Sequence, residues 1–191
     1  MRVLRSTHSQ FDIWHLPLLP YADLDPYDQI LDDIERGRKQ KFVFEKHQRR
    51  FGTTRKLAKI ILGAYLDCHP KQIIFKALSK GKPYLDGDPL HFNISHSGEY
   101  MAIGIHNKYS LGVDIEFKKL RDFVGLANHS FSKAEIEQVL SVEPIDRARV
   151  FYRIWCQKEA FIKQNGQGLS YPLADFSVNS NEKGGIDWIR R

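Results

Sequence analysis

The order of the predicted strands and helices is the feature of this sequence that most constrains its fold. A partly alternating apolar run predicts a first strand, and a helical pattern follows it. Gly52, Thr53 and Thr54 then indicate a break, after which either threonine can cap a second helix that runs through Tyr65. The first strand, the first helix and two later short strands are predicted at residues 11–18, 28–51, 72–77 and 90–94.

The second part of the chain again runs from strands to helices to a strand. Two apolar, branched runs joined by a polar link predict a hairpin. Ser132 and Glu135 form a capping box at the start of one helix, and Gly166 ends the next helix. These elements are predicted at residues 100–105 with 111–117, 132–142, 146–164 and 174–178.

This order predicts an α+β chain built from two similar halves. The seam is expected near residues 107–112, so the N-terminal half spans residues 1–108 and the C-terminal half spans residues 109–191. Hydrophobic residues make up 42% of the chain and charged residues 27%, which are ordinary values for a soluble globular protein. No apolar run approaches the ~20 residues that cross a bilayer, so no membrane contact is predicted.

The N-terminal residues and the cysteine content predict a cytoplasmic protein. Asp12, His15 and Pro17 interrupt the apolar stretch that a signal peptide requires. Cys68 and Cys156 are too few for a disulfide framework and are not arranged as a metal clip. A reducing compartment fits this content, and Cys156 is interpreted as a core thiol.

Positive charge is concentrated in one stretch of the first half. Between Arg36 and Lys59 there are ten basic residues and one acidic residue, so this stretch carries +9, whereas the whole chain carries +6. The remaining residues therefore sum to −3. Such a stretch attracts phosphates, nucleic acid or an acidic protein, although a solvated helix face is the simpler alternative.

Two carboxylates occupy alternate positions in the predicted strand at 111–117. Because residues i and i+2 of a strand point to the same face, Asp114 and Glu116 are expected to project together. Adjacent carboxylates repel each other unless a cation lies between them, and oxygen ligands of this kind suit Mg²⁺. The triplet alone leaves open the alternative of two solvated acids on an exposed strand.

The late helix carries a second group of candidate residues. Trp155, Glu159 and Lys163 are spaced four apart and lie along one stripe of the helix. Glu159 could be a third metal ligand or a proton acceptor, and Lys163 could contact a phosphate. The alternative is an ordinary surface ion pair between these two residues, with Trp155 in the core.

A third group is the sequence 93–98, which reads Asn-Ile-Ser-His-Ser-Gly. Its hydroxyls, imidazole and backbone N–H groups suit anion binding at the end of a strand. Adjacent Ser and His residues rarely aim at one reacting atom, so a nucleophilic pair is not predicted. His91 and His96 have no cysteine or further histidine nearby in the sequence to complete a zinc site.

These groups together resemble the Sfp-type 4′-phosphopantetheinyl transferase family. The resemblance is carried by the motifs GKP, FNISHSG, GVDIE and WCQKEAFIK, in that order, with an additional F-S-x-x-E segment. It spans roughly residues 36–178, and the motifs lie at 81–83, 92–98, 112–116, 155–163 and 131–135.

The resemblance implies a fold of two similar halves related by a pseudo-twofold axis, and an Mg²⁺-dependent transfer reaction. The donor would be coenzyme A and the acceptor a serine of an acidic acyl or peptidyl carrier protein, with adenosine 3′,5′-bisphosphate released. The halves would meet at the active site within one chain, so a monomer is expected. Neither nucleic acid nor a membrane would be a partner.

The resemblance also implies a role for individual residues. Glu159 would be the catalytic base, and Lys163 would contact the pyrophosphate and stabilise developing charge. Arg50 would bind the 3′-phosphate, with Arg49 as the alternative. The metal ligands would be Asp114, Glu116 and Glu159, and the remaining coenzyme A contacts would be Lys82, Pro83, Ser95, His96 and Ser97, with Arg36 and Lys39 as further candidates.

Two other functions are compatible with parts of this sequence. A nucleic-acid-binding module would explain the basic stretch, but no helix-turn-helix, zinc or stacking-aromatic pattern accompanies it. A phosphate-ester hydrolase could use the same carboxylates. The family pattern also continues through a further apolar strand, whereas residues 179–191 are largely polar apart from Ile186, Trp188 and Ile189, so a final strand is expected to be absent.

Overall fold

The structure is a computed structural model that describes residues 2–5, 11–21, 25–87, 89–119, 122–168 and 171–178. Its strands are β1 (Arg2–Arg5), β2 (Phe11–Pro17), β3 (Phe75–Ala77), β4 (Pro83–Leu85), β5 (His91–Ser97) and β6 (Tyr100–His106). Its α-helices are α1 (Asp33–Gln40), α2 (Glu45–Tyr65), α3 (Phe123–Ser130), α4 (Lys133–Leu140) and α5 (Pro144–Asn165). Short 3₁₀ helices lie at Leu19–Tyr21, Asp25–Ile30, Pro70–Gln72 and Leu173–Asp175.

Four strands form an antiparallel sheet in the first half. The strand order is β1-β2-β6-β5, and a two-residue turn joins β5 to β6, with Gly98 at a φ of 57°. Alternate residues of β5 and β6 pack against α2 and form the core of this half. That core includes Phe92, Leu57, Leu62, Ile103 and Ile105. β3 and β4 form a separate two-stranded sheet.

The second half is helical in the residues that the structure describes. Helices α3, α4 and α5 pack around a separate aromatic core, in which the Phe131 and Phe151 rings stack at 5.0 Å between centroids. The chain is therefore mixed helix and sheet, as predicted. The pseudo-twofold relationship and the division at 108/109 stay predictions, since residues 109–119, 122–168 and 171–178 contain no strand.

Several secondary-structure predictions are confirmed. The strand at 11–18 corresponds to β2, the strand at 90–94 corresponds to β5, and the helix at 146–164 corresponds to α5. The capping box begins α4 as predicted: Ser132 N donates to Glu135 Oε2 at 2.8 Å, and Glu135 N donates to Ser132 Oγ at 3.4 Å. Gly166 ends α5 in the left-handed conformation, with a φ of 69°.

The single helix predicted over residues 28–51 is wrong. A second capping box, formed by Asp32 and Glu35, starts α1, and the chain leaves the helix after Gln40 before α2 begins at Glu45. The helix break predicted at Gly52, Thr53 and Thr54 is also wrong, because these residues lie inside α2. A Cβ on Gly52 would lie 3.3 Å from side-chain carbons of Lys39, so this glycine serves helix packing.

The hairpin predicted from residues 100–105 and 111–117 is also wrong. β6 pairs with β5 instead, and residues 111–119 form no strand. Residues 174–178 were predicted as a strand, but Leu173–Asp175 is a 3₁₀ helix and the residues after it are irregular. Of the residues predicted as a strand at 72–77, Phe75–Ala77 form one, β3. The expectation about a final strand concerns residues 179–191, which lie outside the described residues.

The two halves share one ion-pair arrangement. In each, a glutamate at the third position of a short capped helix is buried against a fully buried lysine of the following long helix. Lys59 Nζ lies 2.5 Å from Glu35 Oε2 in the first half, and Lys158 Nζ lies 2.8 Å from Glu135 Oε2 in the second. None of the helices that the structure describes combines the length and hydrophobicity needed to span a bilayer.

Candidate functional site

The predicted strand at 111–117 is an extended segment that side chains of β5 hold in place. We call residues 111–117 the carboxylate segment. It lies over the face of the sheet opposite α2, since a Cβ on Gly104 of β6 would lie 2.6 Å from Leu111. Three of its backbone N–H groups donate to β5 side chains: Val113 to Asn93, Ile115 to Ser95 and Phe117 to Ser97, at 2.8, 3.3 and 3.0 Å.

Gly112 fixes the carboxylate segment against α5. A Cβ at this position would lie 1.8 Å from the carbonyl oxygen of Ala160 and 2.6 Å from the backbone nitrogen of Gln164. Both neighbours are helix backbone, which cannot move aside as a flexible side chain can. Glycine is therefore the one residue that allows the segment to lie this close to the helix.

Asp114 projects from this segment and is almost fully buried. Its side chain is 3% exposed, and its Oδ1 accepts hydrogen bonds from Lys163 Nζ at 2.5 Å and from Ser95 Oγ at 2.9 Å. Its Oδ2 is buried and has no hydrogen-bond partner among the N–H and O–H groups of the described residues. A buried carboxylate oxygen without a donor is costly, so it marks a position where a cation or donor would be stabilised.

Glu116 and Glu159 lie close enough to Asp114 to interact with it electrostatically. Glu116 Oε2 accepts a hydrogen bond from Ser97 Oγ at 2.9 Å. Burial raises the pKa of Glu159, while Lys163 lowers it and the negative charges of Asp114 and Glu116 raise it further. Glu159 of α5 therefore interacts electrostatically with both carboxylates of the segment, and their joint role stays a prediction.

Cys156 lies in the same region of α5 and is a partly buried free thiol. Burial raises its pKa strongly, and the adjacent carboxylates of Asp114 and Glu116 raise it further. A thiol held in its protonated form is a poor nucleophile. Cys156 is therefore not a catalytic candidate, in agreement with its interpretation as an inert core thiol.

The carboxylates fit Mg²⁺ by the chemistry of their donor atoms. Mg²⁺ prefers carboxylate oxygens together with water and substrate phosphates, and Asp114 Oδ2 is a buried oxygen with no other partner. Among the described residues, however, no three His, Cys, Asp or Glu side chains are placed to hold a metal ion together. Asp114, Glu116 and Glu159 thus remain the predicted ligands, and their convergence on one ion remains a prediction.

Lys163 does not form the surface pair that its spacing from Glu159 allows. Its ammonium binds Asp114 and Ser95 across the seam, and its side chain is 29% exposed. The structure gives Glu159 no ion pair or hydrogen bond with another described residue. Lys163 is therefore part of the carboxylate cluster, with one side open to solvent.

Arg50 supplies positive charge to the site, next to His96. Desolvation by the surrounding protein lowers the pKa of His96, and the nearby charges of Arg50, Lys163 and Arg55 lower it further. Arg50 lies on α2, where its Nη2 is 2.9 Å from Nδ1 of His47. The site thus combines cations of the first half with carboxylates of the second.

Most other basic residues of the stretch from Arg36 to Lys59 are paired with acids. Arg49 binds Glu45 on an exposed face at 2.9 Å. The charge of this stretch is therefore partly neutralised by acidic residues, most of which precede α2, and its sequence alone did not indicate this pairing. Other ion pairs between a basic residue of this stretch and an acidic residue before it are Arg36–Asp33, Lys39–Asp28, Lys56–Asp28 and Lys59–Glu35.

Lys82, predicted as a coenzyme A contact, bridges the two halves. Its ammonium donates to Ser110 Oγ at 3.0 Å, to Leu111 O at 3.1 Å and to Gln164 O at 2.8 Å. These acceptors belong to the seam and to the end of α5. Pro83 begins β4 directly after it and pairs with Ala77 of β3.

Ser95 and Ser97, predicted in the nucleotide pocket, instead contact the carboxylate segment. Ser95 is buried, and its hydroxyl donates to Asp114 and accepts from Lys163 and Ile115. A hydroxyl has one donor and two acceptor positions, so all three are used. Ser97 is half-buried and makes the equivalent contact with Glu116.

Sequence reasoning missed the role of Asn93. This residue is 3% exposed, and its Oδ1 accepts the Val113 N–H in a buried hydrogen bond. In the sequence, polar residues alternate at 93, 95 and 97, and apolar residues alternate at 113, 115 and 117. The equal spacing of these two stretches is the signal that could have indicated their pairing. That signal is weak without knowledge that the two stretches lie side by side.

Comparison with known proteins was made for both parts of the chain. Residues 21–108 match the family model described as 4′-phosphopantetheinyl transferase, N-terminal, and residues 110–188 match the 4′-phosphopantetheinyl transferase superfamily. The chain is 33% identical over 165 residues to 4′-phosphopantetheinyl transferase HetI of Nostoc sp., an alignment that covers 83% of this chain and 69% of the relative.

Two relatives from Bacillus subtilis give similar values. The transferase named ffp is 36% identical over 163 residues, which cover 83% of this chain and 72% of the relative. The transferase named Sfp is 31% identical over 169 residues, which cover 88% of this chain and 75% of the relative. The similarity thus extends through both halves of the chain.

Proposed function

This chain belongs to the Sfp-type 4′-phosphopantetheinyl transferase family and is an enzyme of that class, and we propose that its donor is coenzyme A and its acceptor a carrier protein. In the proposed reaction, a serine Oγ of the carrier bonds to the phosphorus that bears pantetheine. The phosphoanhydride bond of coenzyme A breaks, and adenosine 3′,5′-bisphosphate leaves with the electron pair. The serine proton passes to a base.

The observation that carries this proposal is the open carboxylate cluster at the seam. Asp114 is buried with one oxygen unpartnered, while Lys163, Glu116 and Glu159 lie around it. Phosphoryl transfer needs mainly positioning and charge stabilisation, and a cluster with both signs of charge provides them. We assign Asp114, Glu116 and Glu159 as ligands of Mg²⁺, which when bound neutralises charge on the pyrophosphate.

Lys163 and Glu159 are the proposed catalytic groups. Lys163 is held by Asp114 and Ser95 with part of its side chain exposed, so a pyrophosphate at the seam would be within its reach. Its charge would stabilise the negative charge that develops on the leaving phosphate. The raised pKa of Glu159 suits a carboxylate that takes the proton from the attacking serine.

Arg50 and His96 are the proposed contacts of the 3′-phosphate and its neighbouring groups. Arg50 is favoured over Arg49, because Arg49 is exposed and paired with Glu45, whereas Arg50 acts electrostatically on His96. Arg36 and Lys39 are less suitable, since Asp33 and Asp28 already bind them. Lys82, Pro83, Ser95 and Ser97 remain proposed coenzyme A contacts, although their present partners are protein groups.

The proposed protein partner is an acidic carrier, and the chain is proposed to act as a monomer. Lys41, which follows α1, and Lys46, in the first turn of α2, are exposed and would attract an acidic surface. The residues proposed for catalysis and metal binding come from the second half of the chain, and most residues proposed to contact coenzyme A come from the first half. A second copy is therefore not needed to complete the site.

The test is intact-protein mass spectrometry of an apo carrier protein incubated with coenzyme A, Mg²⁺ and this enzyme. The expected result is a gain of one phosphopantetheine group on the carrier, lost when a chelator replaces Mg²⁺. A panel of carriers from fatty acid, polyketide and non-ribosomal peptide synthesis identifies the acceptor. Cleavage of coenzyme A without gain on any carrier would instead indicate a hydrolase.

A further inference from the structure

We propose that Asn93 is a positioning residue that sets the place of the predicted metal ligands Asp114 and Glu116. This inference rests on the proposed function, because it concerns how the proposed Mg²⁺ ligands are held. It assigns to the polar face of β5 a role in supporting the carboxylate segment. Asn93, Ser95 and Ser97 form this face.

The first observation is the regular pairing between β5 and the carboxylate segment. The donor residue lies 20 positions after its acceptor in all three hydrogen bonds, and each step advances two residues on both stretches. The two stretches therefore run parallel and in register. In a normal sheet, hydrogen bonds between backbone groups set the register of two strands. Here the β5 side chains accept these hydrogen bonds, so the register of the segment against β5 depends on those side chains.

The second observation is that Asn93 cannot be a substrate contact. It is 3% exposed, and its Oδ1 lies 2.8 Å from the nitrogen of Val113 in a bond that is itself buried. Ser95 and Ser97 each touch both a backbone N–H and a carboxylate. Asn93 contacts the backbone alone, so its effect on chemistry must pass through the position of Asp114.

The third observation is where Asn93 acts along the segment. Gly112 is fixed against α5, which carries Glu159 and Lys163, and Asp114 is bound by Ser95. Val113 lies between these two residues and is fixed by Asn93 on the opposite side. The segment is thus held between helix and sheet at three consecutive residues. These contacts set the position of Asp114 on the segment relative to Glu159 on α5.

The expected consequence of losing Asn93 is weaker metal binding rather than lost folding. Without its oxygen, the buried N–H of Val113 has no acceptor, and the segment is expected to shift to find one. Outer partners that orient metal ligands typically change metal affinity about 10–100-fold when they are removed. Coenzyme A affinity measured without metal is expected to remain unchanged, since Asn93 is buried away from solvent.

The test is calorimetric titration of the full chain with Mg²⁺, without a carrier, for Asn93→Ala and Asn93→Ser. We expect Asn93→Ala to weaken Mg²⁺ binding about 10–100-fold. Asn93→Ser keeps a neutral oxygen that can accept the Val113 N–H, as Ser95 does for Ile115, and should recover part of that loss. The matched control is Phe92→Leu, whose side chain lies on the opposite face of β5 in the α2 core; it should lower the melting temperature and leave Mg²⁺ affinity unchanged.

A second variant decides the case if Asn93→Ala does not fold. Asn93→Leu fills the space of the buried side chain and removes its hydrogen-bonding atoms. It should weaken Mg²⁺ binding while coenzyme A affinity in chelator stays the same. Wild-type Mg²⁺ affinity in a folded Asn93→Leu would contradict the positioning role.

The inference is overturned if Asn93→Ala binds Mg²⁺ as the wild type does, or if Phe92→Leu weakens binding equally. Failure of the proposed function has a different signature. In that case the wild-type chain itself would neither bind Mg²⁺ nor modify any carrier. Wild-type binding and transfer with unaffected variants would reject the role of Asn93 alone.

Discussion

Helix α5 carries two lysine–carboxylate pairs five residues apart, and they are built in opposite ways. Lys158 and Glu135 are both 0% exposed. Lys158 also donates to the carbonyl oxygens of Leu173 and Phe176, at 2.7 and 2.5 Å. Glu135 accepts the N–H groups of Ser132 and Val178, each at 2.8 Å. Every charged atom of this pair has a protein partner.

In the pair formed by Lys163 and Asp114, by contrast, not every charged atom has a partner among the described residues. Lys163 is 29% exposed, and Asp114 Oδ2 has no partner. A pair whose polar atoms are all satisfied has no capacity for a ligand and serves the fold. A pair that leaves one buried oxygen unsatisfied and one cation partly exposed can exchange its internal bonds for bonds to a ligand. The difference separates a structural pair from the pair that we propose to be functional, on a single helix.

The largest expected effect is loss of transfer in Asp114→Asn. The change keeps the shape of the side chain and removes the charge that the proposed Mg²⁺ needs. Transfer should fall by about 1,000-fold or more, equivalent to about 4 kcal/mol of activation free energy. The free energy of unfolding should change by less than about 1 kcal/mol, because the Lys163 ammonium can turn to water. Enzyme assays with chemical denaturation measure both quantities.

Glu135→Gln is the matched control for Asp114→Asn in the closed pair. It should reduce stability clearly while the folded protein keeps its rate of transfer, because Glu135 touches no proposed reacting group. Equal losses of stability in the two variants would remove the distinction between the pairs. So would near-normal transfer by Asp114→Asn.

The next largest effect is expected on stability, in Lys158→Ala. Removing one partner of a buried ion pair leaves the other charge uncompensated, at a cost of about 3–5 kcal/mol. For a chain of this size, that corresponds to a melting temperature lower by about 6–20 °C. Lys163→Ala should lower it by no more than about 4 °C, since this pair is partly solvated.

A double variant tests whether Lys158 acts through Glu135. Lys158→Met combined with Glu135→Leu removes both charges and should regain most of the lost stability, because apolar groups of similar volume often replace a buried pair without loss. A double variant as unstable as the single one would mean that the carbonyl contacts of Lys158 dominate instead.

This contrast also explains which parts of the site could be predicted from sequence. The spacing of Asp114 with Glu116 and the helical stripe of Glu159 with Lys163 depend on local periodicity, so the sequence alone could propose each pair, and their shared role stays a prediction. Lys158 was not singled out, because its partner Glu135 lies on another helix, 23 residues away. Contacts between elements have no local signal.

The fold shows the same limit. The capping box at Ser132 and the glycine that ends α5 are local signals, and both were predicted correctly. The carboxylate segment was predicted as a strand because its branched residues alternate, yet it receives its hydrogen bonds from side chains of β5. The start of α1 was missed, since the capping signal of Asp32 falls inside a continuous helical pattern.

A third, intermediate effect is expected from the neighbouring arginines of α2. Arg49 forms an exposed pair with Glu45, whereas Arg50 supplies positive charge to the site. Arg50→Ala should raise the KM for coenzyme A about tenfold or more, as expected when a charged hydrogen bond to a phosphate is lost. Arg49→Ala should leave the KM unchanged. Steady-state kinetics on coenzyme A and on its 3′-dephospho form measure the effect.

The form lacking the 3′-phosphate is the informative control for Arg50. Its KM should be the same for the wild type and for Arg50→Ala, because the phosphate that Arg50 is proposed to bind is absent. An equal rise for both donors would show that Arg50 acts elsewhere. A rise for Arg49→Ala alone would reverse the assignment and place the paired arginine in the site.

The smallest expected effect is a gain of stability in metal-free Glu159→Gln. Burial and the charges of Asp114 and Glu116 raise the pKa of Glu159, so its charged form is disfavoured in the folded state. A raised carboxyl pKa lowers stability as pH rises above the unfolded value of about 4.5, and the loss is complete above the folded pKa. The melting temperature of Glu159→Gln should therefore exceed that of the wild type by about 1–3 °C at pH 8 in chelator, and the two should agree near pH 4.

Addition of Mg²⁺ should reverse the order, because the wild type gains a ligand-bound form that the variant lacks. Thermal melts at both pH values, with and without Mg²⁺, measure this; a variant that is less stable than the metal-free wild type at pH 8 would mean that Glu159 is stabilised, not strained, by its neighbours.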